Sequence, residues 1–145
     1  MSALLNDIRR EVEDIHGFFV DWFNGTASVD DIETQLIPRF DDALRFISPD
    51  GISTYKDQLI LGFRQAYGSN SDFKILITDV EILHEIGDKM LISYVEWQRG
   101  KANIIGTKNG RITTALLTQG NPFRWFHVHE TLLPETVSAK NFPDF

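Results

Sequence analysis

The sequence predicts an α+β domain in which helices come first and an antiparallel sheet closes the chain. Three observations predict it. Apolar residues recur at alternating spacings of three and four as far as Trp22, and capping signatures at Ser2, Ser28 and Thr54 each announce a helix. Beyond Asp72 the pattern changes to β-rich runs separated by turn residues.

Leu5, Ile8, Val12, Ile15, Phe19 and Trp22 make one apolar stripe on a helix that Ser2 caps and Asn24-Gly25 ends. Ser28, with Asp31 three residues on, opens a second helix that Pro38 keeps short. The period then shortens to two, with Phe40, Leu44 and Phe46 on one side of a first strand and Asp41, Ala43, Arg45 and Ile47 on the other. Ser48-Pro49-Asp50-Gly51 is a turn, and Thr54-Tyr55-Lys56-Asp57 opens a helix through Leu59, Ile60, Phe63 and Tyr67. Four strands follow, over 73–83, 90–98, 111–118 and 122–131. Residues 134–145 read as a tail with no periodic signal.

Composition bounds the function. A chain of 145 residues is one domain by length, and 42% apolar with 24% charged residues is ordinary globular usage. A formal net charge of -7 argues against binding a phosphate backbone, so no nucleic-acid partner is expected. The absence of cysteine excludes disulfides, thiolate metal sites and cysteine nucleophiles. Met1 to Glu13 lacks the apolar core of a signal peptide, and no apolar run approaches the roughly 20 residues that span a bilayer. The expectation is a soluble cytoplasmic protein without a membrane partner. Glycine-rich phosphate loops are absent, and no cofactor is expected.

Four stretches carry a family resemblance: Phe18-Phe19-Val20-Asp21-Trp22-Phe23-Asn24-Gly25 ending the first helix, Arg45-Phe46-Ile47-Ser48-Pro49-Asp50-Gly51 on the first strand, Asp79-Val80-Glu81-Ile82 with Gly87-Asp88 and Ile92-Ser93-Tyr94, and Trp125-Phe126-His127-Val128-His129-Glu130. In this element order the chain resembles the nuclear-transport-factor-2-like superfamily, which includes SnoaL-like cyclases, ketosteroid isomerases and the association domain of calcium/calmodulin-dependent kinases. The likeness spans residues 2 to about 133, which defines the single domain (1–133) ahead of the tail (134–145). It implies a cone: a strongly curved, mostly antiparallel sheet wrapped around the helices, with a pocket at its open end. It also implies a homodimer through the convex face.

Within that frame the chemistry can be placed. His127 and His129 leave their strand on one face, with Trp125 and Thr131, and read as interface residues rather than metal ligands; no metal site is expected. Phe126, Val128 and Glu130 leave the other, inward face. Glu96, with Tyr94 and Gln98 on its side of the strand, is the second inward acid, and Arg111 is a counter-charge or an anchor for an acidic group. Glu96, Glu130 and Arg111 are therefore the candidate catalytic residues, because a carboxyl in an apolar cavity becomes a usable acid or base. The same trio also reads as a buried ion-pair cluster.

Phe19, Trp22 and Phe46 are candidate ligand-binding residues, as are Tyr55, Phe63, Tyr94 and Phe126. Asp41 and Asp42 fall where ketosteroid isomerases carry their base, but the first helix offers no partner tyrosine. His16 and His84 have no evident reason to converge, so the acid–histidine pair used by SnoaL-like cyclases is not assigned. The expected function is binding of a small hydrophobic or amphipathic molecule. The alternatives are a cofactor-independent isomerase, dehydratase or cyclase working through a pocket carboxylate, and a dimeric interaction module whose cavity is filled by its own side chains.

Overall fold

A computed structural model describes residues 2–145. Helix α1 (Ala3–Asn24) starts where the Ser2 hydroxyl accepts the Leu5 amide at 3.1 Å, and ends at Gly25, whose φ of 79° is the left-handed cap that glycine adopts without strain. The apolar stripe turns inward, and Ile8, Val12, Ile15 and Trp22 are buried. The Asp31 carboxylate reaches back to the Ser28 amide at 3.1 Å, as its signature predicts. The helical segment that follows is irregular, a π-turn over Ile32–Leu36 and a 3₁₀ turn over Ile37–Arg39, because Pro38 supplies no amide to continue the ladder.

Strand β1 (Phe40–Ile47) leads to a short strand, β2 (Ser53–Tyr55), and then to α2 (Lys56–Gln65). Here the structure corrects the reading of Thr54 as a helix cap. Thr54 pairs with Phe46 and Tyr55 with Arg45 across an antiparallel ladder, and α2 has no side-chain cap. A β-branched and an aromatic residue beside an open strand edge extend rather than cap. Strands β3 (Lys74–Ile86), β4 (Lys89–Arg99), β5 (Lys108–Thr118) and β6 (Arg124–Leu132) complete a six-stranded sheet in the order β2-β1-β6-β5-β4-β3. All its pairs are antiparallel except β1 with β6. The sheet curves around α1. The core lies between them, built on Ile8, Val12, Ile15, Leu44, Ile92, Tyr94 and Trp125.

The last residues are more ordered than their sequence implies. A seven-residue helix, α3 (Glu135–Asn141), is too short to display a period, yet its following Phe142 meets the Trp97 ring edge-on at 5.6 Å. No helix among the described residues is long and apolar enough to cross a membrane.

Gly110 faces Trp97 across the β4–β5 ladder, and a Cβ there would lie 2.7 Å from the indole ring and 3.1 Å from Leu133. The ring cannot simply swing away, because its Nε1 donates to Thr78 Oγ1 at 3.0 Å. Gly110→Ala is therefore expected to lower the unfolding free energy by about 1–3 kcal/mol, the usual range for overpacking. Urea denaturation checks this, and an unaltered midpoint would contradict the rigid placement of Trp97.

Candidate functional site

Strand alternation sends every second residue of β4, β5 and β6 toward the helices. Tyr94, Glu96 and Gln98 on β4 thus share a face with Asn109, Arg111 and Thr113 on β5 and with Val128 and Glu130 on β6. Glu96 sits directly opposite Arg111, and Thr113 opposite Glu130. Above this face lies a cavity of about 170 Å³. Its wall is aromatic: Phe19 and Phe23 come from α1, Phe40 and Phe46 from β1, Phe63 from α2, and Phe73 from the approach to β3. Its floor is polar, formed by Glu96, Gln98, Arg111, Glu130 and His16.

Proton positions in the floor follow from the contacts. His16 Nδ1 lies 2.7 Å from the Val12 carbonyl oxygen, which can only accept, so Nδ1 carries a proton. His16 Nε2 lies 3.0 Å from Glu96 Oε1, and that contact needs a second proton between them. The pair is an imidazolium against a carboxylate. Burial alone would lower the imidazole, but the charge and hydrogen bond of Glu96 outweigh it and raise His16 above its ordinary value. Burial alone would raise Glu96, but His16, Arg111 and Gln98 outweigh it and hold the carboxyl at about 2.

Arg111 ties the other acid. Its Nη1 donates to Glu130 Oε1 at 3.0 Å, and its Nη2 donates to Asn109 Oδ1 at 2.9 Å and Gln98 Oε1 at 3.2 Å. Glu130 nonetheless titrates high. Burial and then the neighbouring charge of Glu96 push it up to about 7, against the opposing pull of Arg111. One guanidinium is shared between two acids, and the acid without the histidine keeps its proton longer. Burial, then the two carboxylates, push the Tyr94 phenol well up, so it stays neutral. The floor thus combines a fixed ion pair with a carboxyl able to exchange its proton near neutrality.

The structure brings Glu96, Glu130 and Arg111 together and sets Phe19, Phe46, Phe63 and Tyr94 around them. Trp22, Tyr55 and Phe126 lie elsewhere, contrary to the sequence reading. Trp22 is buried outside the cavity lining, with its Nε1 donating to the Phe63 carbonyl at 2.6 Å, and Phe23 takes the lining position instead. Tyr55 is exposed because it belongs to β2 and leaves that strand on the outer face with Arg45. Phe126 occupies a β-bulge: Leu116 pairs with His127 and Leu117 with Trp125, so Phe126 is skipped. The extra residue reverses the alternation. Trp125, expected on the convex face, turns inward to line the cavity, where its Nε1 donates to Glu11 Oε2 at 2.8 Å. His16, for which the sequence offered no partner, is the fourth charged member of the floor. Its only legible signal was its place one turn before Phe19 and two before Phe23 on one helix face.

Solved structures share this arrangement. An NTF2-like protein of unknown function from Pseudomonas aeruginosa aligns over 88% of this chain and 99% of its own, with 25% identity and a TM-score of 0.80. The fold is NTF2-like. A second NTF2-like protein of unknown function, from Pseudomonas putida, covers 95% of this chain and 93% of its own at 13% identity and a TM-score of 0.67. The association domain of CaMKII from C. elegans covers 89% and 95% at 13% identity and a TM-score of 0.66. No family model and no curated protein matches the NTF2-like chain described here.

The raised Glu130 carries a stability consequence whose sign is fixed. From the ordinary carboxyl value of 4.5 up to about 7, the folded state keeps a proton that the unfolded chain has released, so this group's contribution to stability is lost as pH rises through that window. His16, also raised, acts in the same direction, whereas the lowered Glu96 loses its contribution only as pH falls below 4.5 toward 2. Glu130→Gln should remove its share of the slope, so the stability difference between variant and wild type shifts in the variant's favour by roughly 2–3 kcal/mol between about pH 5 and pH 8. Urea titrations at the two pH values measure it, and a pH-independent difference would refute the assignment.

Proposed function

We propose that this protein binds a small, largely apolar molecule of about one ring, seated among the phenylalanines with its polar group against the floor. The observation that carries this reading is the cavity itself, walled by aromatic rings and closed at one end by buried polar groups. Size narrows the occupant: an apolar cavity of about 150 Å³ in another protein holds benzene. A space of about 170 Å³ therefore fits one ring with a short substituent and is too small for a polycyclic skeleton. A cytoplasmic location is part of the same proposal, consistent with a chain that has no cysteine to oxidise. Differential scanning fluorimetry with single-ring amphiphiles should show ligand-dependent stabilisation in wild type and none in Val128→Phe, which fills the space from β6. Equal shifts in the two proteins would locate binding elsewhere.

A second reading, proton-transfer catalysis, is favoured by the titration of Glu130 near neutrality beside the buried His16–Glu96 pair. On this reading Glu130 is the acid or base, Arg111 positions it, and Glu96 with His16 supplies the fixed field. Turnover of a bound substrate would then fall at least about a hundredfold in Glu130→Gln while affinity changes little, the pattern of a group acting only in the chemical step.

The outer sheet face supports a homodimer as part of the proposal. Leu91, Val95, Ile112 and Leu116 cluster there on β4 and β5, α3 covers the end of the face beside Val95 and Trp97, and Leu91 and Ile112 are exposed. Sedimentation should give a dimer for wild type and a monomer for Ile112→Asp, since a buried unpaired carboxylate is costly. A wild-type monomer at high protein concentration would end this part of the reading.

A further inference from the structure

The charge balance of the cavity floor narrows the ligand beyond its size. This inference rests on the cavity-binding reading above. Among the described residues four ionisable side chains line the cavity, two acids and two bases, and they are already matched within it: His16 with Glu96 at 3.0 Å and Arg111 with Glu130 at 3.0 Å. The other polar groups of the lining, Gln98, Tyr94 and Trp125, are neutral, and the Trp125 indole is already donating to Glu11. Gln98 is spent on the same network, donating to Glu96 and accepting from Arg111.

We infer that the cavity selects an uncharged single-ring molecule bearing one small hydroxyl-like group, and rejects carboxylates and amines of the same shape. An ionic ligand would leave its hydration shell and find every opposite charge already engaged by an internal partner. Pairing it would either break a buried salt bridge, which strands a charge, or add to the buried network a net charge that no further counter-charge balances. A neutral hydroxyl meets no such barrier, because it can accept from one floor group and donate to another. Two groups remain suited to that exchange. Arg111 Nε is buried and has no hydrogen-bond partner among the described residues, and the Glu130 carboxylate accepts from Arg111 through Oε1. The aromatic wall does not discriminate between these ligands by charge as strongly, since the rings face the apolar body whichever substituent is present.

Four probes of one shape test this: toluene, benzyl alcohol, benzylamine and benzoate, titrated calorimetrically into the whole protein at about pH 8, above the value of about 7 at which Glu130 titrates. Benzyl alcohol should bind tightest, by roughly tenfold or more over both ions. Glu130→Gln leaves Arg111 without its counter-charge, so benzoate should gain roughly tenfold in that variant while toluene is unchanged. Benzoate or benzylamine binding wild type as tightly as the alcohol would overturn the inference, as would benzoate indifferent to Glu130→Gln. In either case, toluene binding would leave the cavity reading standing. If toluene and the other three all fail to bind, the cavity reading falls and takes this inference with it. Should Glu130→Gln not fold, the wild-type ranking decides alone.

Discussion

Four ionisable side chains buried at one end of a cavity set the terms for the rest of this structure. A single charge in such a place costs several kcal/mol, so each must find a partner within hydrogen-bonding reach or give up its charge. His16 meets Glu96 and Arg111 meets Glu130, each at 3.0 Å, and Gln98, which donates to Glu96 and accepts from Arg111, joins the pairs into one network. The requirement reaches outward from there. For His16 to touch β4, α1 must lie at one height and one rotation over the sheet. The Trp125–Glu11 bond, one helical turn and a little more before His16, fixes the same helix against β6. Two polar ties therefore orient a helix whose apolar stripe alone would tolerate sliding.

Those ties in turn depend on strand register. A slip of one residue between β4 and β5 would carry Arg111 to the outer face and leave Glu96 buried without compensation. The penalty for that slip is electrostatic as well as hydrophobic, which makes this register better defined than an apolar sheet face would be. The bulge at Phe126 belongs to the same logic. It lets Trp125 turn inward to reach Glu11 while Val128 and Glu130, further along β6, keep the inward positions that the cavity needs.

How much of this the sequence disclosed can be judged residue by residue. Periodicity and caps located α1 and the long strands to within a few residues, because those signals are local: Ser2, Gly25 and the alternation of Tyr94, Glu96 and Gln98 each act within one element. The inward placement of Glu96, Arg111 and Glu130 was legible for the same reason. Trp125 and Phe126 were misplaced because a bulge is set by the pairing of two strands, and nothing in β6 alone marks where Leu117 takes up its partner. Tyr55 was misplaced because a three-residue strand forms only when β1 offers it an edge. His16 was missed as a site residue because its partner is 80 positions away, and only the crossing of α1 over β4 brings them together.

Wall and floor come from different parts of the chain, and this separates two properties of the cavity. The rings of Phe19, Phe40, Phe46 and Phe63 belong to the N-terminal half, where Phe63 packs against Phe19 and Phe40 and none of the four is part of the charge network. Glu96, Arg111 and Glu130 belong to the C-terminal meander, where register holds them. Substitution among the phenylalanines can therefore change the size and shape of the space while the charge network stays intact. Substitution in the floor changes the charge the cavity presents and strains the pairing that orients α1. His16 is the exception that joins the halves, since it is an N-terminal residue whose charge the meander requires. A fold arranged this way can vary the shape of what it holds far more freely than the charge.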